Sequence, residues 1–182
     1  SAILLGSVPV VSAVMGVAAG APAGKALMSH FSIMIKGQSQ IFAGGPPLVE
    51  RGTGETVTRE ELGGWKIAVE KAGVIHNVAK DEEDCFRQIK QFLSYMPQNV
   101  WEMPPIVRTD DPVDRREEEL LDIVPRDRRK PYDMHKLIRL VMDKDSTFEI
   151  QPRYGRAAIT TLSRLNGYPV GIIANNPMYG GV

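Results

Sequence analysis

From Ser1 to Gly24 the chain carries no charge, and its first charged residue is Lys25. About 20 apolar residues can cross a bilayer as a helix, so the run has three readings: a membrane segment, a signal peptide or a buried strand. Gly6, Pro9, Gly16, Gly20, Pro22 and Gly24 interrupt it, and the basic n-region of a signal peptide is missing. The core "VPVVSAVMGV" is short and β-branched with glycine beyond it, as in a strand of a sheet covered on both faces. The pattern predicts a buried strand over Val8 to Val14. A short helix is expected from Ala23 to Met28, beginning beside Gly20 and Ala21.

The alternation continues downstream. "FSIMIKG" and "SQIFAGG" read as strands, and Pro46 and Pro47 open a helix, where a missing N–H costs nothing. Thr58 with Glu61 three residues on is a capping box, closed by Gly63 and Gly64. "WKIAVEKAG" reads as a short helix and "GVIHNVA" as a strand. Asp81 then caps a longer helix whose apolar stripe is Cys85, Phe86, Ile89, Phe92, Leu93 and Met96. Pro97 to Pro131 is rich in proline and charge and reads as a linker, with one short helix around Glu117 to Leu121. A second unit opens with a helix capped by Asp133. It continues into a hairpin, two apolar runs flanking Asn166-Gly167, the pair that a type I′ turn favours.

Composition narrows the function. Lys+Arg and Asp+Glu both number 22, so no excess positive charge favours nucleic acid. Cys85 is the one cysteine, which rules out an internal disulfide and fits a reducing compartment. His30, His76 and His135 are scattered without metal-ligand spacing. The sequence begins inside an apolar run and stops at "NNPMYGGV", which reads as a segment of a longer chain.

No G-x-S-x-G, H-E-x-x-H or C-x-x-C motif is present, and "GTGE" lacks the lysine-serine ending of a phosphate loop. Cys85 and His76 read as core and structural residues. What remains is "GVAAGAPAGKAL". A strand that ends in glycine and alanine before a helix exposes backbone N–H groups, and two of these make an oxyanion hole. The same pattern describes a packing turn in an α/β sheet, which local sequence alone favours.

The ordered set of segments alters that balance. "PVVSAVMGVAAG", "IFAGGPPLVERGTGETVTREELGG", "AGVIHNVAKDEEDC" and "FEIQPRYGRAAITTLSRLNGYPVGIIANNP" resemble the carboxyltransferase (beta) subunit of biotin-dependent acyl-CoA carboxylases, of the propionyl-CoA and methylcrotonyl-CoA type. The resemblance covers essentially the whole chain. It implies an α/β, crotonase-like fold, a β-β-α spiral. Residues 1–124 would be the back part of a first domain and 125–182 the start of a second. It implies a ligase component that moves a carboxyl group from carboxybiotin to the enolate of an acyl-CoA. Such enzymes lack a catalytic side-chain base: the ureido nitrogen of biotin takes the α-proton of the acyl-CoA once carbon dioxide has left it, and backbone oxyanion holes hold the enolates.

The family's first hole is a Gly-Gly pair, matched here by Gly20 and Ala21, with Pro22, Ala23, Gly45 and Pro46 as further substrate-binding candidates. The next family segment usually holds an aromatic, a serine and a proline. Here it is "PAGKAL", with Lys25 near the serine-proline position. The implied cofactors are biotin on a partner's carrier domain and coenzyme A within the substrate; no metal is implied. The implied partners are a biotin carboxylase/biotin carboxyl carrier subunit and further copies of the beta subunit in a hexamer, in the cytoplasm or the mitochondrial matrix, with no nucleic acid or membrane. Two other readings share the scaffold: a biotin-dependent acyl-CoA decarboxylase subunit and a noncatalytic scaffold subunit.

Overall fold

Uncharged β-branched sequence does become strand in the first part of the chain, but in shorter pieces than the pattern predicts. A computed structural model describes residues 2–127 and 129–181. Ala2–Leu5 forms a single helical turn, α1, and strand β1 covers only Val11–Val14. Within β1 only Val14 is fully buried, so the strand expected from Val8 is both shorter and more exposed.

The strand buried on both faces is β3, Phe31–Ile35. It lies between β1 and β5 (Asn77–Ala79) in a parallel sheet, with Val11 opposite Phe31 and Ile33 opposite Asn77. On one face Phe31 stacks on Phe92, ring centroids 4.8 Å apart. On the other, Met34 joins Val14, Ile41, Val69 and Ile75 in the core. Each such side chain contributes roughly 1.5–3 kcal/mol by leaving water.

Strands β2 (Val17–Ala19) and β4 (Gln40–Phe42) pair in a second parallel sheet, with Ala19 opposite Phe42. Helix α2, Ala21–Leu27, starts two residues earlier than expected, with Pro22 in its first turn. Helix α3 is Pro46–Thr53, and α4 is Arg59–Gly63 with the Thr58–Glu61 capping box formed. Lys66–Lys71 is π-helical, so the expected short helix is wound more loosely. Helix α5, Glu82–Ser94, is capped by Asp81, whose side chain accepts the Asp84 N–H at 2.8 Å. It buries Cys85, Gln88 and Phe92, while Phe86 and Leu93 remain exposed.

The Cα framework divides into two units, Ser1–Glu102 and Met103–Val182. In the second, a 3₁₀ turn over Glu118–Leu121 precedes α6, Met134–Val141, capped by Asp133. Strands β6 (Phe148–Ile150), β7 (Ala158–Leu165) and β8 (Tyr168–Asn175) form an antiparallel sheet in that order. Asn166 and Gly167 both have positive φ, 51° and 79°, as the type I′ turn requires. Buried Asp143 holds this turn, its two carboxylate oxygens accepting the Asn166 N–H at 2.8 Å and the Gly167 N–H at 2.7 Å.

Candidate functional site

Strands β2 and β4 run parallel and end side by side, one in "GAPAG" and the other in "AGGPP". Gly20 makes the first turn. Its φ of 66° and ψ of −128° suit glycine, and its N–H donates to the Phe42 carbonyl at 3.1 Å. Gly45 makes the second as the extended N-cap of α3, and Pro46 and Pro47 occupy that helix's first turn. Both strands therefore lead directly into helices at the same end of one small sheet. In open α/β sheets, ligands collect at the carboxyl ends of the strands.

Gly20, Ala21, Pro22, Ala23, Gly45 and Pro46 are thus all brought to that end. Gly20, Ala21 and Pro22 are exposed, and Gly45 and Pro46 are half-buried. Ala23 differs: its side chain is 4% exposed and belongs to the core, so only its backbone can face a ligand.

Accounting for the backbone donors separates these residues further. The Gly20 N–H is engaged by Phe42, and Pro22 has none. The N–H groups of Ala21 and Ala23 meet no acceptor among the described residues. They open α2, where helix donors are unsatisfied and carry partial positive charge. Along the end of β1, the start of β2 and one face of α2 lies an open hollow of about 380 Å³, walled in part by Ser12, Met15, Val17, Pro22 and Lys25; of the candidate residues, Pro22 is the one in its wall. The sequence pattern did not mark the hollow, because its wall is mostly backbone and small side chains.

The other titratable candidates are structural. Cys85 is fully buried, and burial, with Asp84 and Glu82 nearby, pushes its thiol pKa up and away from a reactive thiolate. His76 accepts the Ser32 N–H on Nδ1 at 2.9 Å and lies 3.0 Å from the Ser32 hydroxyl. Burial holds its pKa below the usual imidazole value. Among the described residues no cluster of acids, histidines or cysteines is arranged to hold a metal, and no helix is long and apolar enough to cross a membrane. In the second unit, His135 Nε2 lies 3.1 Å from Glu149 Oε1 at a smaller hollow of about 200 Å³, a pairing that spacing along the chain could not reveal.

Residues 2–182 match the carboxyl transferase domain family. Methylmalonyl-CoA decarboxylase subunit alpha of Veillonella parvula is 38% identical over 172 residues, 94% of this chain and 34% of that protein. The carboxyltransferase subunit of propionyl-CoA carboxylase from Haloferax mediterranei is 39% identical over 172 residues, again 94% of this chain and 33% of the other. A crystal structure of the transcarboxylase 12S hexamer, with hydrolysed methylmalonyl-CoA bound, superposes with a TM-score of 0.93 at 35% identity. The match covers 98% of this chain and 35% of that one, so the chain spans about a third of the length of these relatives. The fold is the crotonase-like α/β architecture that the resemblance implied.

Proposed function

The chain belongs to the carboxyl transferase family, and from that membership we propose that it is part of a carboxyltransferase acting between biotin and an acyl-CoA. The observation that carries this reading is the convergence of "AAGAP" and "AGGPP" at the ends of β2 and β4, where the N–H of exposed Ala21 meets no acceptor among the described residues. A thioester oxygen that gains negative charge as an enolate forms would accept that N–H. A donor aimed at developing charge acts in the transition state and needs no proton transfer of its own.

The family hole is placed at Gly20 and Ala21. Gly20's N–H already donates to Phe42, so Ala21 is the donor of this pair, and Gly20 shapes the turn. The chemistry present fits a thioester oxygen: a neutral amide donor on an exposed residue, between small residues that let the ligand approach. Pro22, Gly45 and Pro46 form the rim, and Ala23 can contribute only its N–H. Biotin, carried on a partner subunit, supplies or accepts the carboxyl group.

The join between the two family domains is placed at 124/125, within the proline-rich, charged stretch. The full-length protein is proposed to assemble as a hexamer of beta subunits with a biotin carboxylase/carrier partner, in the cytoplasm or the mitochondrial matrix. The decarboxylase direction stands beside the carboxylase one, because relatives named for each are 38% and 39% identical to this chain.

The test uses the full-length protein with a biotinylated carrier. Labelled carboxyl should move between methylmalonyl-CoA and the carrier's biotin in the presence of this subunit. Transfer with no dependence on the subunit would leave only the noncatalytic scaffold reading.

A further inference from the structure

The proline-rich, charged stretch reads as a linker, yet its middle is fastened to the second unit by groups withdrawn from water. Asp111, its side chain 5% exposed, pairs with Arg115 Nε at 2.7 Å and accepts the Lys144 N–H at 3.1 Å. The Arg115 guanidinium also meets Glu117 Oε1 at 2.6 Å and donates to the Met142 carbonyl at 2.7 Å. Buried Arg164, on β7, donates through Nη1 to the carbonyls of Pro105 at 2.9 Å and Gly167 at 3.0 Å. The Val107 N–H donates to the same Gly167 carbonyl at 3.1 Å. A Cβ on Gly167 would lie 2.0 Å from the Val107 carbonyl oxygen, so the two backbones touch there.

These bonds end at two places, the loop between α6 and β6 and the Asn166-Gly167 turn. Asp143 connects the two. Its carboxylate holds both turn amides, and its own N–H donates to the Arg164 carbonyl at 2.9 Å. One network therefore runs from Pro105 through the α6–β6 loop to the tip of the hairpin. Removing one member of a buried ion pair leaves the other charge unpaired, so such a network resists opening piece by piece.

From this arrangement we infer that residues 105–117 are a strap that opens and closes together with the α6–β6 loop and the Asn166-Gly167 turn, as one cooperative unit. The strap lies before the join proposed at 124/125 and is nonetheless built into the second unit. The inference is independent of the carboxyl-transfer reading, since none of its residues belongs to the candidate site.

Hydrogen exchange of the full-length protein, read by mass spectrometry, tests it. Three peptides are followed, over residues 103–117, 140–147 and 162–170. In wild type the strap peptide should exchange about 10-fold more slowly or better than the same sequence as a free synthetic peptide. In low urea all three peptides should show the same dependence of opening on denaturant. Arg115→Met should speed exchange in all three by a similar factor, about 10-fold or more, as for hydrogen bonds to charged groups. Arg116→Met is the control: Arg116 is exposed, and its loss should leave all three unchanged. A wild-type strap that exchanges like the free peptide would overturn the inference. So would Arg115→Met that loosens the strap and leaves the turn as it was. If Arg115→Met loosens the first unit as well, the wild-type urea series decides, and unequal dependence in strap and turn would overturn the inference.

Discussion

His76 sits inside an apolar run and has become a structural acceptor. The Ser32 N–H donates to its Nδ1, which requires that nitrogen to be unprotonated. Burial favours the same neutral form and lowers the folded-state pKa. The sign of the pH dependence follows. Below the unfolded-state value, about 6.5, the unfolded chain binds a proton that the folded chain resists. The stability contribution is complete above that pH and is lost as pH falls toward the lowered folded value. Denaturation midpoints measured from pH 8 to 5.5 should therefore fall, and more steeply in wild type than in His76→Asn, which offers a non-titrating acceptor. Identical slopes in the two proteins would contradict this account. His30 and His135 are common to both and cancel in the comparison.

Helix α4 shows how an element at a distance holds the site in place. A Cβ on Gly63 would sit 2.0 Å from the Ile41 carbonyl oxygen and 2.9 Å from the Phe42 ring. Those two residues end β4, next to the turn into Gly45. Gly63→Ala should therefore cost about 3 kcal/mol or more, since backbone cannot give way as a flexible side chain can. Gly24, on α2, is the contrast: a Cβ there meets nothing within 4 Å, and its φ is not positive. Gly24→Ala should stabilise the protein by about 0.5–1 kcal/mol. Chemical denaturation of both variants checks the pair.

The same elements show what was legible in the sequence. Caps with side-chain logic were readable, namely Thr58, Asp81 and Asp133, as were the prolines that open α3 and the Asn-Gly turn. Each depends on chemistry within a few residues. The break between β1 and β2 at Met15-Gly16 was not readable, because both strands are uncharged and their partners, β3 and β4, come later in the chain. Nor was the true face of α5. Gln88 is buried where the stripe placed Phe86 and Leu93, since its side-chain carbonyl accepts from Asn77 at 3.2 Å and its amide donates to Asp84 at 3.1 Å. The resemblance named the candidate residues, and their meeting at the ends of β2 and β4 was not readable from spacing, because it depends on the pairing of those strands. Nor was the division of donors among them, because the bond from Gly20 to Phe42 depends on strand pairing.

At the scale of the whole molecule, this chain matches about a third of each relative and holds one end of a small parallel sheet where the two glycine-rich segments meet. The central claim is that this end stabilises an acyl-CoA enolate through the Ala21 N–H. Proline is well accommodated at the first position of a helix, so Ala21→Pro removes the donor with little demand on the fold. Ala21→Gly keeps the donor and serves as the control. The direct measurement is steady-state carboxyl transfer by the assembled full-length enzyme, with kcat and KM for the acyl-CoA determined separately and assembly checked by light scattering. The account predicts that Ala21→Pro lowers kcat roughly 100- to 1000-fold, with a much smaller change in KM, and that Ala21→Gly stays close to wild type. An assembled Ala21→Pro enzyme with near-normal kcat would contradict it and make the turn a packing feature.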